Sequence, residues 1–93
     1  MEKRIGLIGI VVENEEAVEK LNDILHDYGK NIVGRMGIPY RERNISVISV
    51  VIDAPTDVIS SLAGKLGMIT GISIKTMYSK LPKFSENLEE ASE

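Results

Sequence analysis

Ninety-three residues with a formal net charge of −3, no cysteine and a single histidine set firm limits. A chain of this length holds one core and leaves no room for a second. It buries only about 60–65% of its unfolded surface, so it needs help from disulfides, metals or association. The missing cysteine removes disulfides and thiolate metal sites together, which leaves association as the favoured source of stability. The charge is uneven: the tail from Leu81 to Glu93 sets Lys83 against four glutamates and carries the whole excess, leaving residues 1–80 balanced. A balanced body lacks the broad positive field of a nucleic-acid binder, so no direct nucleic-acid contact is expected.

Arg4 to Val12 is the first strand candidate, with Ile5, Leu7 and Val11 on one face and Ile8, Ile10 and Val12 on the other. Gly6 and Gly9 leave one gap per face, for close packing against a helix on one side and a partner on the other. The run is too short for a signal-peptide core or a bilayer span, so a soluble cytoplasmic protein without membrane contact is expected. Asn14 then offers a helix cap, and Ala17, Val18, Leu21, Ile24, Leu25 and Tyr28 form one apolar stripe that Gly29 ends. His26 lies off the centre of that stripe and has no companion ligands, so no metal is expected.

Asn31 to Ile38 reads as an alternating strand, with Ile32, Gly34, Met36 and Ile38 on one face and Val33, Arg35 and Gly37 on the other. A hairpin connection over residues 37–44 follows. Lys30 to Arg43 holds four basic residues and one acid, with Tyr40 as its aromatic. It is either a solvated, interface-pairing loop or a lip that binds anions. Asn44 to Asp53 is apolar on both alternating sets, Ile45-Val47-Ser49-Val51 and Ser46-Ile48-Val50-Ile52, which marks a central strand covered on both sides. Asp53 to Asp57 supplies a helix start. Val58, Ile59, Leu62, Ala63 and Leu66 form the stripe, and Gly64-Lys65-Leu66-Gly67 closes it. This glycine pair ends a helix instead of preceding one, which excludes a phosphate-cradling loop. Gly71 to Tyr78 is the last strand, with Lys75 and Met77 on its outer face.

The order predicts an α+β, ferredoxin-like βαββαβ domain over residues 1–80: a four-stranded antiparallel sheet with two helices on one face. The first and third strands, apolar on both sides, are central. Residues 81–93 are expected to form a flexible acidic tail. The face without helices keeps an apolar centre, with Arg35 and Lys75 expected at its rim, the anatomy of an interface. A homo-oligomer, dimer or tetramer, joined through that face is therefore expected. The central strands lack the aromatics of RNA-recognition domains. No nucleophile with a base, and no carboxylate pair, assembles a catalytic site, so a non-catalytic module without cofactor is expected.

The stretches Leu25-His26-Asp27-Tyr28, Arg35-Met36-Gly37-Ile38-Pro39-Tyr40-Arg41-Glu42 and Leu62 to Thr76, including Ala63-Gly64-Lys65-Leu66-Gly67, resemble the iron-only ([FeFe]) hydrogenase system regulator family. The resemblance runs from about Arg4 to Tyr78. It implies an ACT-like domain related to the effector domain of the nickel-responsive repressor, associated with [FeFe] hydrogenase maturation in anaerobic bacteria. The turn Glu13-Asn14-Glu15-Glu16 departs from the glycine-bearing turn of amino-acid-binding ACT domains. One histidine, no cysteine and no separate arm argue against nickel sensing and direct DNA binding. The expected role is an oligomeric regulatory module that binds a small molecule or a hydrogenase-maturation protein; the alternative is a protein-only adaptor. Candidate ligand-binding residues, near subunit boundaries, are Arg35, Gly37, Tyr40, Arg41, Arg43, Gly64, Lys65 and Gly67, with Arg41, Arg43 and Lys65 to fix an anionic group.

Overall fold

The computed structural model describes residues 2–80; the predicted flexible tail lies outside them. Strands β1 (Lys3–Val12), β2 (Ile32–Tyr40), β3 (Ile45–Pro55) and β4 (Ile72–Tyr78) and helices α1 (Ala17–Asp27) and α2 (Thr56–Gly67) follow one another in the order β1-α1-β2-β3-α2-β4. The sheet is antiparallel in the order β2-β3-β1-β4. The two strands with apolar residues on both faces, β1 and β3, take the centre as expected.

The core follows from period-two and period-3.6 patterning meeting at one layer. Ile8, Ile10 and Val12 of β1 and Ile48, Val50, Ile52 and Ala54 of β3 are buried against Ala17, Leu21 and Leu25 of α1 and Ile59, Leu62 and Leu66 of α2. Gly6 lets α2 approach the sheet: a Cβ there would stand 3.2 Å from both the Ile52 Cγ2 and the Ile59 Cδ1. That is the close helix packing its place in the sequence implied. Among the described residues no helix covers the opposite face. Its residues Ile5, Leu7, Met36, Ile38, Val47 and Met77 are all at least 36% exposed.

Three local expectations are corrected. A register shift falls between Ile32 and Gly34, where Ile32 pairs with Ile52 and Gly34 with Val51. The extra residue turns Ile32 to the helix side, against the core, while Gly34, Met36 and Ile38 stay on the open face. Arg35 pairs with Val50, on the covered side, and donates a hydrogen bond to the Asn22 Oδ1 of α1 at 2.9 Å; it is not part of the open face's rim. Lastly, β2 continues to Tyr40, so Gly37 and Tyr40 are strand residues, and a 3-10 turn over Arg41–Arg43 makes the hairpin tight. Asn44 closes that turn with φ of 59°, a conformation asparagine tolerates well.

Helix α1 begins at Ala17, where its stripe starts, and so later than a cap at Asn14 implied. The Asn14 side chain accepts from the Glu16 amide at 3.0 Å and shapes the preceding turn, while Glu16 occupies the capping position. Among the described residues, no helix is long and apolar enough to cross a membrane.

Candidate functional site

One row of the sheet organises the candidate residues. Pro39 pairs with Ser46, Ser46 with Val12, and Val12 with Ile72, so the row crosses all four strands. The hairpin turn sits at its β2 end. The exit of α2 leads into β4 at the other. The edge strands β2 and β4 stand about 14 Å apart along this row at ordinary strand spacing, with the hairpin candidates at the first and those of α2 leading into the second.

At the β2 end a hollow of about 150 Å³ is lined by Val12, Glu15, Val18, Pro39, Arg41, Asn44, Ile45 and Ser46. Val12, Val18, Pro39 and Ile45 make an apolar wall, and Arg41 and Glu15 bring one charge of each sign. Of the eight predicted site residues, Arg41 alone lines this hollow. Arg43 shares its turn, and Tyr40 ends the strand before it. Gly37 lies within β2, where an added Cβ would meet the Ile48 Cγ1 at an ordinary 3.6 Å. Arg35 is tied to Asn22 as described. The lining contributed by Glu15, Val18 and Asn44 was missed, because it arises only when the turn before α1 folds onto the hairpin. The one sequence signal was Asn44 itself, a residue suited to closing a turn in left-handed geometry.

At the other edge, Gly64 and Lys65 lie inside α2 and Gly67 is its last residue. A Cβ on Gly64 would touch nothing within 4 Å, and one on Gly67 would lie 3.9 Å from the Ile74 Cδ1. Lys65 does not face a ligand hollow: its Nζ stands 5.2 Å from the centre of the Tyr28 ring. The Tyr28 hydroxyl is 2.9 Å from the Ser61 Oγ. That hydrogen bond, with help from Lys65, holds the Tyr28 phenol below its ordinary pKa of 10.0 against an opposing effect of burial. This cluster joins the end of α1 to the middle of α2, and its geometry is that of a helix-to-helix tie.

Among the described residues there is no group of three or more histidine, cysteine, aspartate or glutamate side chains placed to hold a metal ion.

Residues 4–76 match the TM1266-like family, described as "Iron-only hydrogenase system regulator, putative". The chain belongs to the TM1266-like family. The structure is similar to that of the uncharacterized protein TM1266 from Thermotoga maritima, with TM-score 0.81 and 40% identity over 85% of this chain and 100% of that one. It is also similar in fold to the ACT domain of a GTP pyrophosphokinase from Chlorobium tepidum, at TM-score 0.69 and 18% identity over 81% of this chain and 99% of that one. In sequence it is 31% identical over 67 residues to a "Putative nickel-responsive regulator" of Saccharolobus islandicus, covering 72% of this chain. A protein of the same description from Saccharolobus solfataricus matches equally in identity and coverage. The chain spans about half the length of these curated relatives.

The metal in those relatives' description can be tested against the donors present here. Nickel sites draw on imidazole, thiolate and similar ligands in a fixed geometry. This chain has no cysteine, and its one histidine, His26, is an exposed residue of α1. The described residues do not fit a nickel site.

Proposed function

We propose that this member of the TM1266-like family is a non-catalytic, homo-oligomeric regulatory module that acts in the cytoplasm on the iron-only hydrogenase system. The observation that carries this reading is the sheet face that neither described helix covers, where Leu7, Val47, Met36 and Met77 stand 36%, 40%, 69% and 63% exposed. A contiguous apolar face on a small domain is costly to leave in water and is the surface by which such a domain associates. Family membership supplies the system, and the ACT-like fold is consistent with a module that senses or relays and does no chemistry.

Its ligand is a small molecule or a protein of that system, engaged at the hairpin end where Arg41 and Arg43 stand beside the hollow. The second reading is an adaptor that binds protein alone. The modest volume of the hollow, about 150 Å³, and the placement of Lys65 against the Tyr28 ring favour this second reading over a site built from Arg41 and Lys65 together.

An Arg41→Ala plus Arg43→Ala variant tests the site. Native mass spectrometry of the gently purified full chain reads subunit number and any retained adduct together. Loss of an adduct with the oligomer intact assigns the turn to ligand binding. Loss of the oligomer assigns it to assembly. An unchanged adduct and oligomer would remove the turn from both roles.

A further inference from the structure

The open face carries Lys3, Asp53 and Lys75, and the last two, opposite in charge, stand in a related position. Lys75 pairs with Gly9, one strand from β1 on the β4 side and two residues past Leu7. Asp53 pairs with Ile5, one strand from β1 on the β3 side and two residues before Leu7. The neighbours of Asp53, Ile52 and Ala54, are buried on the helix side, which places Asp53 on the open face with Lys75. Leu7 therefore lies midway between the two charges, each about 5 Å across the sheet and about 7 Å along it.

We propose that two copies stack open face to open face about a two-fold axis through Leu7, setting Lys75 of each copy against the partner's Asp53. This rests on the oligomeric reading above and specifies its register. A two-fold interface is isologous: whatever one residue meets, the reverse contact recurs. An axis in the plane of the interface, perpendicular to the Lys75–Asp53 diagonal, exchanges the two positions. One operation then makes two identical ion pairs.

The same operation stacks Leu7 on its own copy and lays Ile5 near the partner's Met77, covering side chains that are 36%, 43% and 63% exposed in one protomer. The strands of the two sheets cross steeply, towards the orthogonal class of sheet packing. Charge makes this register preferable to its neighbours. A lysine pressed onto an apolar partner loses hydration with nothing in return, whereas opposition to a carboxylate offsets that loss and rejects other alignments. Ile38, Tyr40 and Val47 stay outside the overlap, which leaves the hairpin end accessible.

The test is a charge exchange on the full chain, with association followed by analytical ultracentrifugation. Lys75→Asp and Asp53→Lys each set like charges against each other twice, and each is expected to weaken association by about tenfold or more. The double variant restores opposite pairs and is expected to return to within about threefold of the unsubstituted protein. Circular dichroism confirms that each variant is folded. Single variants that associate normally, or a double variant as weak as the singles, would overturn this register while leaving the assembly standing. An unsubstituted protein that stays monomeric would overturn the oligomeric reading itself.

Discussion

Gly71 and Asn14 are packed so closely that a methyl group on Gly71 would come within 2.5 Å of the Asn14 Cβ. Gly71 has φ of +89°, and its carbonyl accepts the Glu13 amide at 2.8 Å. The turn before α1 is thereby fastened to the turn after α2, at the end of the sheet that carries the candidate site. Gly71→Ala combines an unfavourable backbone conformation with a steric overlap. It is expected to destabilise the fold by about 2–4 kcal/mol, measured by chemical denaturation.

Gly6 makes a second prediction, because it is the point where α2 rests on β1. Its missing side chain leaves only 3.2–3.3 Å to Ile52 and Ile59. Gly6→Val overfills that contact and is expected to cost about 1–3 kcal/mol. A shifted midpoint with an unchanged denaturant slope is the expected readout.

Gly64 is predicted to behave oppositely. It lies within α2, and an added Cβ meets nothing within 4 Å. Gly64→Ala is expected to stabilise the fold by about 0.5–1 kcal/mol through helix propensity. Gain of stability together with loss of an adduct in native mass spectrometry would mark Gly64 as a place where a ligand's approach needs the bare backbone.

Tyr28 supplies the pH dependence. Its hydrogen bond to Ser61, with Lys65 beside the ring, lowers the phenol below 10.0. A depressed acid contributes stability that is fully present above its ordinary pKa and is lost as pH falls through the folded value. Tyr28→Phe removes that contribution, so the variant and the unsubstituted chain are expected to differ in the pH slope of stability as pH approaches and passes the ordinary value of 10.0. In an ultraviolet titration, Ser61→Ala is expected to move the Tyr28 transition upward, and Tyr28→Phe to abolish it.

The architecture was legible because its strongest signals are non-local in effect but local in sequence. The doubly apolar run from Ile45 to Ile52 could sit only inside the sheet, and the stripes of α1 and α2 required one covered face. Arg35 was misplaced for a definite reason: one extra residue near Val33 inverts the alternation, and nothing in the residues from Asn31 to Gly34 announces a bulge. The site was less legible. Arg41 was found from charge, yet the wall opposite it comes from Val12 and Val18, whose apolar character reads only as core. Lys65, chosen as an anion anchor beside two glycines, is occupied with Tyr28, a neighbour that no sequence spacing reveals.

The apolar sheet face is proposed as a surface of association between copies. Native mass spectrometry of the full chain at micromolar concentration tests it most directly. The account predicts a dimer or tetramer, with Leu7→Glu shifting the population to monomer while the fold persists. A folded, unsubstituted chain found only as a monomer would contradict it.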